Sequence, residues 1–100
     1  MHKIDFGLVE WAIVAEGARE KVWNDGKRRV RMVELDERFV EAEWCGKAHL
    51  GMVLSGTVEI DFHGSLERFA TGQGLTIQAG DGHKARAIGG IVRLVFFDEA

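Results

Sequence analysis

Apolar side chains recur at every second position through much of this chain, the spacing of strands that bury one face. Residues 21–35 hold two such runs separated by Asn24, Asp25 and Gly26, which tolerate positive φ, and this predicts a β-hairpin. In its second run Val30 and Met32 alternate with Arg29, Arg31 and Val33, as on a strand with one wetter face. Phe39, Glu41 and Glu43 share one side of a further expected strand, with Val40, Ala42 and Trp44 on the other. Residues 57–62 set Val58, Ile60 and Phe62 against Glu59 and Asp61, and His63 and Gly64 then turn the chain back through residues 65–69. Leu75 and Ile77 share a side of a short strand. Gly89 and Gly90 separate two apolar runs and predict a closing two-residue hairpin. Residues 3–14 read as extended chain, although Trp11, Val14, Ala15, Ala18 and Val22 also fall near helical spacing, interrupted by Gly17. The total, about eight to ten short strands, predicts an all-β sandwich or barrel.

The composition fits that class and narrows it. Apolar residues at 46% and charged residues at 29% are values of a folded globular chain, which excludes disorder. One hundred residues supply one core, so a single domain over 1–100 is expected, with 1–20 an N-terminal arm or strand open to exchange in a homodimer and 21–100 the barrel. Cys45 is the one cysteine, so no internal disulfide can form. The N-terminal residues mix charge with apolar groups unlike a signal peptide, and no apolar run nears the ~20 residues of a membrane span. A cytoplasmic location without a membrane partner is the expectation. The net charge of −3 argues against a nucleic-acid partner, and Lys27, Arg28, Arg29 and Arg31 read as a solvated strand edge.

Candidate chemistry gathers around residues 45–56, where two metal-capable side chains, Cys45 and His49, precede a strongly apolar strand. Glu43, Cys45, Lys47 and His49 share one parity, and in an unbroken strand they face one side; Gly46 among them is a point where the register can bend. No phosphate loop or dinucleotide fingerprint is present, and Cys45 and His49 lack an orienting third residue for nucleophilic catalysis.

Two motifs resemble those of the cupin superfamily, small double-sheet jelly-roll barrels, and within it the small single-domain cupin-2-like proteins. The first ends with an acidic metal ligand, six residues and a turn glycine; Gly56 fits that glycine, and His49 stands where the acid is expected. Its two preceding histidines fall on Glu43 and Cys45, or with longer spacing on Ala42 and Trp44. The second motif runs through Gly72, Gln78 in place of a proline, Gly80 and His83, with Ala87 in place of its asparagine. The resemblance implies a jelly-roll barrel with a metal site of altered composition at His49, His83, Cys45 and Glu43. Such a mixed nitrogen, sulfur and oxygen set suits zinc or iron(II), with nickel or manganese as further candidates, better than magnesium or calcium. The implied function is binding of a divalent metal and a small polar ligand, extending to metal-dependent catalysis of unassigned type; a metal-free binding or sensory dimer is the alternative. Other roles stay open: Cys45 as a small buried hydrophobe, Asp81 as a turn residue or a partner orienting His83, Trp44 as packing or cavity wall, and His2 and His63 as surface groups.

Overall fold

The computed structural model describes residues 2–99. After one 3-10 turn (Phe6–Leu8) come β1 (Ala12–Ala15), β2 (Ala18–Asn24), β3 (Arg28–Leu35), β4 (His49–Phe62), β5 (Ser65–Ala70), β6 (Gly74–Ile77) and β7 (Lys84–Glu99). All pairings are antiparallel, in the order β1-β2-β3-β7-β4-β5, with β6 joined to the first half of β4. Residues 11–22 are therefore two strands around a turn, not a helix. Among the described residues no helix is long and apolar enough to cross a membrane.

The expected closing hairpin at Gly89–Gly90 does not form; β7 runs through both glycines as one strand and keeps β4 as its neighbour on either side of them. Between the pairs Ser55↔Arg93 and Thr57↔Ile88, β4 has Gly56 alone while β7 has residues 89–92. Gly56, Gly89 and Gly90 all have positive φ (86°, 72° and 131°), so the two long strands bend together and the sheet turns a corner there. A side chain on Gly56 would run into the Ile91 carbonyl and lie 2.9 Å from Val92 Cα. A Gly-Gly pair between apolar runs thus marks a barrel corner: the inward parity shifts by one residue across it, from Ala87 to Val92 and Leu94, all three buried.

The bend folds the sheet onto itself around one core. Val33, Leu35, Val53, Leu75, Ile77, Val92 and Leu94 from one half meet Val58, Ile60 and Ala87 from the other. Each outer face carries a buried glutamate in register between two arginines. Glu34 pairs across strands with Arg19 and Arg93, and Glu59 with Arg68 and Arg86. The basic cluster divides: Lys27 and Arg28 are solvated at the turn, whereas Arg29 and Arg31, on an interior strand, are partly buried and bound to Asp98.

Residues 39–44 are not a strand either. Its apolar side, Val40, Ala42 and Trp44, is exposed, so no buried face fixes a register. The segment instead straps the first half of β7 through side chains. Glu37 Oε1 accepts from the Gly89 amide and Glu41 Oε1 from the Ala85 amide, each at 2.9 Å, and Lys84 Nζ donates to the Ala42 carbonyl at 3.3 Å.

Candidate metal centre

The strap ends at Cys45, which pairs with His83 as an isolated antiparallel bridge. The Cys45 amide donates to the His83 carbonyl at 2.9 Å and the His83 amide to the Cys45 carbonyl at 3.0 Å. A third bond, Gly80 amide to Gly46 carbonyl at 2.8 Å, clamps the loop before β4 to the loop before β7. His49 opens β4 on its inward parity, opposite Ile77 of β6. Cys45 Sγ and one ring nitrogen from each of His49 and His83 consequently lie within 4.8 Å of one another. Glu43 is exposed and outside this cluster, as is Lys47, because the chain around Gly46 is not a strand and the shared parity is lost.

The two imidazoles meet edge-on, with centroids 5.0 Å apart and planes at 80°. His83 is 3% exposed, and its Nδ1 lies 2.9 Å from the Asp81 carbonyl. A carbonyl can only accept, so Nδ1 donates its proton there, and in the neutral ring the lone pair sits on Nε2. The orienting partner is thus the Asp81 backbone rather than its carboxylate. His49 Nε2 lies 3.8 Å from Cys45 Sγ, while its Nδ1 is buried without a hydrogen-bond partner. Burial pushes the His49 imidazole down to about 4, and His83 and Arg31 beside it act in the same direction, so this ring is neutral at pH 7. A neutral imidazole and a thiol that deprotonates on coordination are groups a transition metal can use, and the unpartnered Nδ1 marks a polar ring whose bonding is incomplete.

His49 stands between two spaces. Inside the barrel is a cavity of about 200 Å³, with aliphatic walls and Phe39 and Phe96, into which His49, His83, Glu20, Arg31 and Glu41 also reach. Outside is an open groove of about 940 Å³ that reaches Cys45 and His49 and shares Glu20 and Arg31 with the cavity. Arg31 is the post between them: its Nε donates to Asp98 at 2.6 Å, an Nη to Glu20 at 3.3 Å, and its guanidinium lies 5.1 Å from the Phe96 ring centroid. Glu20, Arg31 and Glu41 were not expected at the site. The signal for Glu41 lay in its shared parity with Phe39, and for Arg31 in its shared parity with Val33 and Leu35. Trp44 is not a cavity wall; it is 42% exposed and stacks on His63.

No protein-family model matches the sequence, and no curated protein does. Solved structures match over nearly the whole chain. The polyketide cyclase RemF of Streptomyces resistomycificus has a TM-score of 0.85 at 17% identity, covering 99% of this chain and 79% of its own. A cupin-2 domain from Rhodospirillum rubrum has a TM-score of 0.78 at 16% identity, covering 98% and 74%. This chain has the cupin fold. A sugar phosphate isomerase of the cupin superfamily from Silicibacter pomeroyi is also similar, with a TM-score of 0.76 at 16% identity over 95% of this chain and 73% of that one. On this barrel Cys45, His49 and His83 come together, while Glu43 lies outside their cluster.

Proposed function

We propose that this cupin binds a divalent transition metal through Cys45, His49 and His83 and holds a small polar ligand beside it. The observation that carries the reading is the convergence of one sulfur and two imidazole nitrogens within 4.8 Å, from segments far apart in sequence. Two nitrogens and a sulfur favour zinc or iron(II), with nickel next and manganese least suited. Such an ion supplies a Lewis acid that polarises a ligand oxygen. The chain's own residues do the rest: Phe39, Phe96 and the aliphatic walls exclude water, and Arg31, Glu20 and Glu41 offer charged groups for orientation. Similar structures named as a cyclase and an isomerase support a barrel that handles small molecules, and catalysis at the same centre extends the reading.

Elemental analysis tests the proposal. Protein purified without a histidine tag and reconstituted with zinc or iron(II) carries about one ion per chain, and Cys45→Ser and His83→Ala each lose it. Sub-stoichiometric metal after reconstitution with zinc, iron, nickel and manganese in turn overturns it. The alternative, metal-free binding in the same cavity, draws on its largely aliphatic walls; it requires ligand-induced thermal shifts that chelators leave unchanged.

A homodimer is the partner we favour. Leu50, Met52, Leu54 and Phe97 are between 38% and 58% exposed on the outer side of β4 and β7, a wide apolar surface for one chain. Light scattering tests this, and a chain lacking residues 1–10 separates face-to-face pairing, which survives the deletion, from exchange of the N-terminal arm, which does not.

A further inference from the structure

His63, at the turn between β4 and β5, touches neither cavity, yet it reaches the neighbours of two of the three grouped side chains. Its ring stacks on Trp44, with centroids 3.9 Å apart and planes at 21°, and Trp44 immediately precedes Cys45. The same ring fills the place where Gly82 has no side chain: a Cβ there would lie 2.5 Å from His63 Nε2, and Gly82 immediately precedes His83. The strand register accounts for this. Asp61 pairs with Lys84, so continuing the β4–β7 ladder past the last strand pair sets His63 opposite Gly82. His63 is also the one non-glycine residue with positive φ (54°) among the described residues, a conformation that costs free energy and persists where the surroundings fix it. Lys84 completes the assembly, its Nζ 4.6 Å from the Trp44 ring centroid.

We infer that His63 is a positioning residue: its ring, seated between Trp44 and Gly82, holds together the two loops that present Cys45 and His83. The backbone contact between those loops is the isolated bridge with the added Gly80–Gly46 bond, a short pairing without a continuous ladder on either side. Such a pairing opens locally unless side chains pin it from outside. That His63 also supports metal affinity rests on the proposed metal centre; that it fixes the loop pair does not.

Cys45 is the lone thiol and therefore reports on this directly. His63→Asn keeps a residue tolerant of the left-handed turn but removes the stack; His63→Phe keeps a stacking ring; Gly82→Ala leaves His63 in place but takes its space. In metal-free protein, His63→Asn and Gly82→Ala raise the rate of Cys45 alkylation by iodoacetamide about tenfold, and His63→Phe restores it to within about twofold. Zinc affinity, read by competition with a chromophoric chelator, falls about tenfold in the first two variants and recovers in the third. Val22→Ala, on β2 and away from this turn, serves as the control for general destabilisation. Alkylation of His63→Asn at the wild-type rate, or an equal rise in the Val22→Ala control, overturns the inference. If wild-type protein takes up no zinc, the metal centre fails while the alkylation rates still decide the role of His63.

Discussion

The buried glutamates of the outer faces and the half-buried His49 at the cavity differ in how their polar atoms are met. Outside, Glu34 and Glu59 are 7% and 5% exposed, and each carboxylate is met by two arginines in strand register. Burial pushes the Glu34 carboxyl up, but Arg93 and Arg19 together overcome it and leave its pKa below the usual range; Arg68 and Arg86 lower that of Glu59. Inside, His49 has Nε2 3.8 Å from the Cys45 thiol and Nδ1 without a hydrogen-bond partner. Completed networks hold the two halves of the sheet in shape, whereas the incomplete one at the cavity is the feature on which the proposed metal centre rests.

The largest effect that sharpens this contrast is metal-linked stabilisation. At free zinc a thousandfold above its Kd, binding to the folded chain alone adds about 4 kcal/mol, a rise in Tm on the order of 15–30 °C, and Cys45→Ser removes it. A scan of wild type and variant with and without zinc checks this. Next comes Glu34→Ala, which takes the shared acceptor from Arg19 and Arg93 and costs about 2–3 kcal/mol in urea unfolding while leaving zinc affinity unchanged. A loss of zinc affinity in that variant breaks the division between the outer glutamates and His49.

The pH dependence of the metal-free protein separates them again. An unfolded imidazole titrates at 6.5 and folded His49 at about 4, so between these values the unfolded chain binds the extra proton. Stability accordingly falls as the pH drops from 6.5 to 4, by on the order of 2 kcal/mol after allowance for a ring only half removed from water, and is level below that. Glu34, with its pKa lowered from 4.5, contributes stability that is present above 4.5 and is lost below it. Urea titrations at successive pH values resolve two steps, and His49→Gln removes the upper one alone. The smallest effect is Glu43→Gln: this carboxylate is exposed and outside the cluster, and its loss leaves zinc affinity within about twofold.

The fold was legible in the sequence because strand alternation and motif spacing are local signals, and of the four candidate ligands the structure groups Cys45, His49 and His83. Val58 and Ile60, or Leu75 and Ile77, declare their buried face without reference to any neighbour. Three features were not legible, each for a tertiary reason. Gly89–Gly90 has the local chemistry of a hairpin, and only continued pairing with β4 makes it a corner. Residues 39–44 alternate, but the stretch from Glu37 to Glu41 is tied down by bonds from β7 amides to the Glu37 and Glu41 carboxylates, which no periodicity reveals. Glu43 shares a parity with Cys45, but the chain between them and His49 leaves the strand, so parity ceased to report direction.

Anomalous diffraction from crystals of zinc-reconstituted protein, recorded on both sides of the zinc absorption edge, tests the central claim most directly. The account predicts a single strong peak among Cys45 Sγ and the ring nitrogens of His49 and His83. An empty cluster in crystals that carry zinc elsewhere, or a peak ligated without Cys45 and His83, contradicts it.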